Sequence, residues 1–328
     1  MIKYVLNRCK KYTWVMLLVI LLGALSTMAT QYIYKFTGFM IDYGLNFTGE
    51  TYTEGTFSFL FDGAFGEYGS LTLIMYLAIC MVLFALISYV LGYFSSYVQM
   101  KGQYAINNAY RKEIFMKAKR KKLPYSSGDM QVILQEDVGR PSAIFICYIP
   151  TIVSTLYGIV FTFMMLNSIS SYLMITPIVM SPLLIIYSIK YHKATYKENL
   201  LYRSVDGELR ETITRVTASK QQSEYSSFRD VNSRHTTERK QLSNVSNNYN
   251  IILNSIKLLI YIISCTVAGI LAIKGEILIG EYLIFTTYIN TIYSHILTLI
   301  NNVITIKSCQ PRIEKVRELM EVHLNETK

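Results

Sequence analysis

The side chains able to do chemistry in this chain are sparse, and their densest group lies where water is scarce. Between Thr286 and Asn302 an otherwise apolar segment carries Thr287, Asn290, Thr291, Ser294, His295, Thr298 and Asn301. On a helix of about 3.6 residues per turn, Asn290, Ser294 and Asn301 share one face, as do Thr287, Thr291 and Thr298. Hydroxyls and amides at this spacing make hydrogen bonds; they do not form a catalytic site. Within hydrocarbon such groups must face protein or water. One reading is interhelical hydrogen bonding. So many polar groups fit a wet translocation cavity better. Lys257, seven residues into another apolar segment, is either a further cavity residue or a lysine that snorkels to the interface.

The remaining reactive residues do not cluster. Cys9, Cys80, Cys147, Cys265 and Cys309 stand singly with no CxxC spacing, and the four histidines are equally dispersed. This pattern speaks against a disulfide framework or a zinc site.

The elements that position these residues are long and apolar. Of 328 residues, 52% are hydrophobic and 16% charged, with a mean hydropathy of +0.29. Soluble domains carry about 25% charge. Six stretches approach the roughly 20 apolar residues that a bilayer crossing takes, at about 14–39, 71–95, 144–166, 169–189, 251–273 and 277–300. A cleaved signal peptide needs a small-residue site after a short apolar core. None follows the first stretch, so that stretch reads as a retained span. The fold class expected is an all-α polytopic membrane protein.

Charge sets the expected topology. Lys and Arg number four in 1–13, nine in 95–143, eleven in 190–250 and five after 301, while 31–70 holds only Lys35. Basic residues collect on the cytoplasmic side, which puts both termini there, in a plasma membrane. The net charge of +10 is thereby a topology signal. No grouping of these residues resembles a nucleic-acid reading motif, so no nucleic-acid partner is expected.

The inner segments 96–143 and 190–250 are poor in Pro and Gly. Ile106, Ala109, Tyr110, Ile114 and Phe115 fall near one helical face, and Leu201, Val205, Leu209, Ile213 and Val216 recur at helical spacing. Both segments therefore read as cytoplasmic extensions of the spans, each a helix pair meeting at a reversal. One reversal falls at "KLPYSSGD", the other near 218–227.

Four stretches then carry a resemblance. "SSGDMQVILQEDVG" (126–139), "LRETITRVTASK" (209–220), "GEILIGEYLIFTTYI" (275–289) and "QPRIEKVRELME" (310–321) occur in the order and topology of the transmembrane domain of ABC exporters. The chain resembles that six-helix family over nearly its whole length. The resemblance implies the ABC exporter (type IV) fold, built as a helix-swapped homo- or heterodimer, with residues 1–310 as the transmembrane domain. It implies coupling to an ATPase through Pro124, Tyr125, Ser126, Ser127 and Gly128. A second coupling tip would be Ser219, Lys220, Gln221, Gln222, Ser223, Glu224, Tyr225 and Ser226. It also makes 311–328 a linker helix toward a nucleotide-binding domain. Such a domain binds phosphates through G-x-x-x-x-G-K-[ST], and no Gly-Lys pair occurs in this sequence. ATP and Mg are thus expected on a domain or subunit outside this chain. Both tips are shorter than the family usually carries. The expected function is export of a peptide, lipid or amphiphilic small molecule by alternating access. The rival is a non-transporting sensor or immunity protein on the same fold. A secondary transporter would want paired intramembrane carboxylates, and the spans hold no such pair.

Overall fold

The structure, a computed structural model, describes residues 1–44, 70–120, 130, 133–219 and 223–321. Every regular element among them is helical. The helices are α1 (Ile2–Arg8), α2 (Thr13–Phe39), α3 (Ser70–Arg120), α4 (Ile133–Asn167), α5 (Ser171–Ser219), α6 (Ser223–Ile273), α7 (Ile279–Ser308) and α8 (Gln310–Glu321). Six of them, α2 to α7, are long and apolar enough to cross a membrane, as the composition requires of a multi-pass membrane protein. The α3, α5 and α6 helices run about twice the length of their apolar stretches. The reversal at 124–128 lies outside the described residues.

The chain divides into two compact units, Met1–Ile178 with Ile263–Lys328, and Val179–Ile262. In the first, α2 and α3 are antiparallel and joined by a polar seam. Ser88 meets Ser26 Oγ at 3.2 Å and Thr30 Oγ1 at 2.8 Å, and Ser88 Oγ donates to the Ser26 carbonyl at 3.1 Å. Small hydroxyl residues allow this close approach and satisfy one another in a place where water cannot. Away from the seam, Trp14, Leu17, Leu21 and Leu25 form an exposed apolar line on α2, the surface an acyl-chain solvent favours.

The turn between α6 and α7 shows why glycine sits at 275. Its φ of 74° is in the left-handed region, where glycine carries no Cβ penalty. The amide of Glu276 donates to Leu271 O and that of Gly275 to Ala272 O, both at 3.0 Å. This pair of bonds is the Schellman ending of a helix.

At the opposite end of this unit is the main buried cluster. Val5 and Cys9 of α1, Ile106, Tyr110 and Ile114 of α3, and Ile133, Val138 and Ile144 to Ile146 of α4 share it with Ile306, Cys309, Ile313, Val316, Leu319 and Met320. Of the α3 face expected from periodicity, Ile106, Tyr110 and Ile114 are inside, whereas Ala109 and Phe115 are exposed. Those two flank the stripe on its exposed side.

In the second unit α5 and α6 form an antiparallel hairpin. Tyr249 stacks between Tyr191 and Tyr187, at ring separations of 3.4 and 5.7 Å, and its hydroxyl donates to Ser188 Oγ at 3.3 Å. Nearer the tip, His235 meets Asp206 at 3.2 Å and Arg234 meets Glu208 at 2.6 Å. The α5 stripe is narrower than its periodicity suggests. Leu209 and Thr212 are buried, Val205 and Val216 half-buried, and Leu201 and Ile213 exposed. A two-helix contact needs only the seam line, so residues a third of a turn away stay outside.

Candidate functional site

The polar segment 286–302 forms the middle of α7, and the helix has two sharply different faces. Ile284, Phe285, Tyr288, Ile289, Ile292, Tyr293 and Ile296 are buried against α2 and α4. On the opposite side Asn290, Ser294 and Asn301 are exposed, with Thr287, Thr291 and Thr298 half-exposed among them. The two triplets read from the sequence therefore make one continuous stripe, turned away from the packed core. The threonines are satisfied by their own helix. Thr287 Oγ1 donates to Leu283 O at 3.1 Å, Thr291 Oγ1 to Thr287 O at 3.0 Å and Thr298 Oγ1 to Ser294 O at 2.8 Å. Asn290 Nδ2 reaches Thr286 O at 3.3 Å. Ser294 and Asn301 lack even this internal bond. They are the members of the stripe whose polar atoms still require a partner.

His295 does not belong to the stripe. It turns toward α4, half-buried, with Nε2 only 2.9 Å from where a Cβ on Gly158 would stand. It adjoins a buried knot that the sequence reading missed. Gln31 Nε2 donates to Thr162 Oγ1 at 2.6 Å and Gly158 O at 3.3 Å, and Tyr288 OH donates to the Gln31 carbonyl at 3.1 Å. Gln31 is 1% exposed. The available signal was one amide and one glycine in apolar segments, each too common alone to single out.

A second lock holds the start of α7. Asp42 is 2% exposed, and its Oδ1 accepts from the Gly280 amide at 2.5 Å. Glu281 Oε2 accepts from the Leu278 amide at 2.8 Å. Both carboxylates answer the free N–H groups and positive dipole end of a helix N-terminus. Two glycines make the approach possible. A Cβ on Gly280 would lie 2.2 Å from the Gly38 carbonyl, and one on Gly38 would lie 2.1 Å from Ile284 Cδ1. The structure thus brings together two carboxylates that the sequence placed in separate segments, and both serve as helix caps.

Below, α8 turns back on the protein. Its buried residues Ile313, Val316, Leu319 and Met320 all enter the main cluster. Polar clamps surround them: Arg312 Nε stands 3.6 Å from Asp137 Oδ1, Lys117 donates to the Met320 carbonyl, and Arg8 pairs with Glu113. The helix expected as a linker therefore spends its apolar stripe on the base of its own bundle.

Of the expected coupling residues, 124–128 and 220–222 lie outside the described residues. Ser219 ends α5, and Ser223 and Glu224 begin α6. Tyr225 and Ser226 are exposed, and the Tyr225 ring lies 6.1 Å from that of Phe228. Lys257 is half-exposed on α6, in the other unit from the α7 stripe. Among the described residues no group of His, Cys, Asp and Glu could hold a metal ion. The five cysteines are free. No protein-family model matches the chain, and no curated protein matches its sequence at a significant level.

Proposed function

We propose that this chain is the membrane-spanning half of an ABC-type exporter, moving a peptide, lipid or amphiphilic small molecule out of the cytoplasm. The observation that carries this reading is the α7 stripe. A helix that buries one side in its own bundle and presents Asn290, Ser294 and Asn301 on the other is built to border water or a second copy. The α5–α6 hairpin, a compact unit with its own tyrosine seam, supports a dimer in which such hairpins are exchanged. The basic extensions support a cytoplasmic base. ATP and Mg have no P-loop cradle among these residues, so energy enters through a partner domain or subunit. This chain's contribution is to receive movement at the α5–α6 tip and carry it along continuous helices.

The test uses chains with the native cysteines replaced and single cysteines at Ser294, Asn301, Ile87 or Val160. Each is reconstituted in vesicles and treated with a membrane-impermeant maleimide. Ile87 and Val160 are 48% and 58% exposed on apolar surfaces. Labelling at Ser294→Cys and Asn301→Cys, with protection at Ile87→Cys and Val160→Cys, is the expected result. Equal protection at all four sites would refute a wet path.

One observation favours a second reading, a non-transporting sensor or immunity protein on the same architecture: α8 is already docked on its own bundle. Mild-detergent purification from native membranes separates the two. A stoichiometric ATPase subunit is expected for the exporter, and a labelled stripe without one for the sensor.

A further inference from the structure

A groove opens on the α5–α6 hairpin, within the unit Val179–Ile262. Leu183, Ile186, Tyr187 and Ile256 line it, Lys190 stands at its end, and its volume is about 500 Å³. That size lies within the roughly 300–1,000 Å³ range of ligand sites. Its walls are apolar apart from the Tyr187 hydroxyl, so it suits a hydrocarbon chain. Lys190 is exposed and has no carboxylate partner among the described residues.

The surrounding charge is one-sided. From Ser171 to Lys197 and from Arg239 to Lys274 the sequence has no Asp or Glu and holds Lys190, Lys193, Lys197, Arg239, Lys240, Lys257 and Lys274, with Glu198 and Glu238 bordering the two stretches. The charges nearest the groove in sequence, Lys190, Lys193 and Lys257, are therefore all cationic, and the first acids stand at Glu198 and Glu238. A solvated helix surface ordinarily mixes both signs, as this hairpin does nearer its tip with Asp206, Glu208, Arg234 and His235. An unbalanced cationic band beside an apolar groove is complementary to an anionic headgroup carrying an acyl chain.

We propose that this groove is a site for an anionic glycerophospholipid of the adjoining leaflet. One acyl chain lies along Leu183, Ile186 and Ile256, and the headgroup phosphate lies on Lys190. The proposal concerns a resident lipid and stands whether or not the chain transports anything.

The experiment is native mass spectrometry of the full chain, delipidated in detergent, with phosphatidylglycerol and phosphatidylcholine of identical chains at equal concentration. Phosphatidylglycerol adducts are expected to exceed phosphatidylcholine adducts by about five-fold, the worth of one lysine at a membrane surface. Lys190→Gln should bring the ratio near one and Lys190→Arg should keep it. Ile256→Trp, which fills the groove, should lower both adducts, and Lys274→Gln should leave the pattern unchanged. An equal ratio in the unaltered chain, or an unchanged ratio in Lys190→Gln, overturns the proposal. Displacement of phosphatidylglycerol by inorganic phosphate would show a simple phosphate site, and mole-for-mole displacement by oleate a fatty-acid site. Either would overturn the phospholipid assignment. So would Ile256→Trp dissociating a dimer without changing the adducts, which would make the groove an interface between copies.

Discussion

Undocking of α8 is the event whose energetics the structure specifies best. Ile313 is 1% exposed and sits among α3 and α4 side chains. Ile313→Ala removes buried methylenes and leaves a cavity, which costs about 2–5 kcal/mol. A factor of ten corresponds to about 1.4 kcal/mol, so the undocked population should rise between about thirty-fold and a few thousand-fold. Two thiols report it. Cys309 lies at the α7–α8 junction, 3% exposed, and Cys9, 1% exposed, faces Tyr110 OH at 3.8 Å. Burial also holds the Cys9 thiol above its ordinary value, with the Tyr110 bond and the Arg8 charge pulling the other way. Its reactive thiolate is therefore scarcer in the closed state than in an exposed cysteine. The assay is pulsed alkylation of the reconstituted chain at pH 7.5, read peptide by peptide. The control is Glu321→Gln, which loses only a surface pair with Arg317 at 3.6 Å, worth at most about 1 kcal/mol. It should change the rates by less than about five-fold. The reasoning is refuted if Ile313→Ala labels at the unaltered rate, or if Glu321→Gln accelerates labelling as much.

Two further predictions concern the locks on α7. Gly280→Ala should lower the melting temperature in detergent more than Gly38→Ala, because its Cβ meets the backbone carbonyl of Gly38 at 2.2 Å while that of Gly38 meets a movable Ile284 side chain and reaches backbone, the Gly280 carbonyl, only at 3.0 Å; the reverse order would refute the close-approach account. Gly158→Ala should cost about 1–3 kcal/mol as an overpacked contact with His295, and His295→Ala in the same chain should recover most of it; additive losses in a double-mutant cycle would show that the two do not touch.

How much of this was legible in the sequence depends on the range of the interaction concerned. The six spans, the long helical extensions and the polar face of α7 follow from hydropathy and period, which are local properties, and the structure has them all. His295, read with the cavity residues, faces inward, because one residue of rotation, about 100°, decides its side and Gly158, 137 positions away, supplies the space. Gln31 and Asp42 were invisible for the same reason: each matters through a partner on another helix. Leu201 and Ile213 were overcounted because periodicity marks every apolar position near a face, whereas a two-helix seam uses one line. The docking of α8 was missed because an amphipathic helix announces a stripe without announcing what covers it.

The α7 stripe is weaker as a signature than its six polar letters suggest, and the structure shows which of them still matter. Thr287, Thr291 and Thr298 donate to carbonyls one turn back, so each hydroxyl can face hydrocarbon at small cost. Asn290 does so in part. The remaining requirement falls on Ser294 and Asn301, exposed and seven residues apart. An unsatisfied amide or hydroxyl in an apolar medium costs roughly 2–7 kcal/mol, more than a marginally stable membrane bundle can leave unanswered on its outer surface. Their partners must come from water or from another protein surface. Substituting the three threonines with valine should therefore leave stability and labelling of the stripe nearly unchanged, whereas Asn301→Leu together with Ser294→Ala should remove the demand for water along that face. If the threonine substitutions instead abolish labelling at Ser294→Cys, the hydroxyls themselves hold the water, and the division between satisfied and unsatisfied members of the stripe fails.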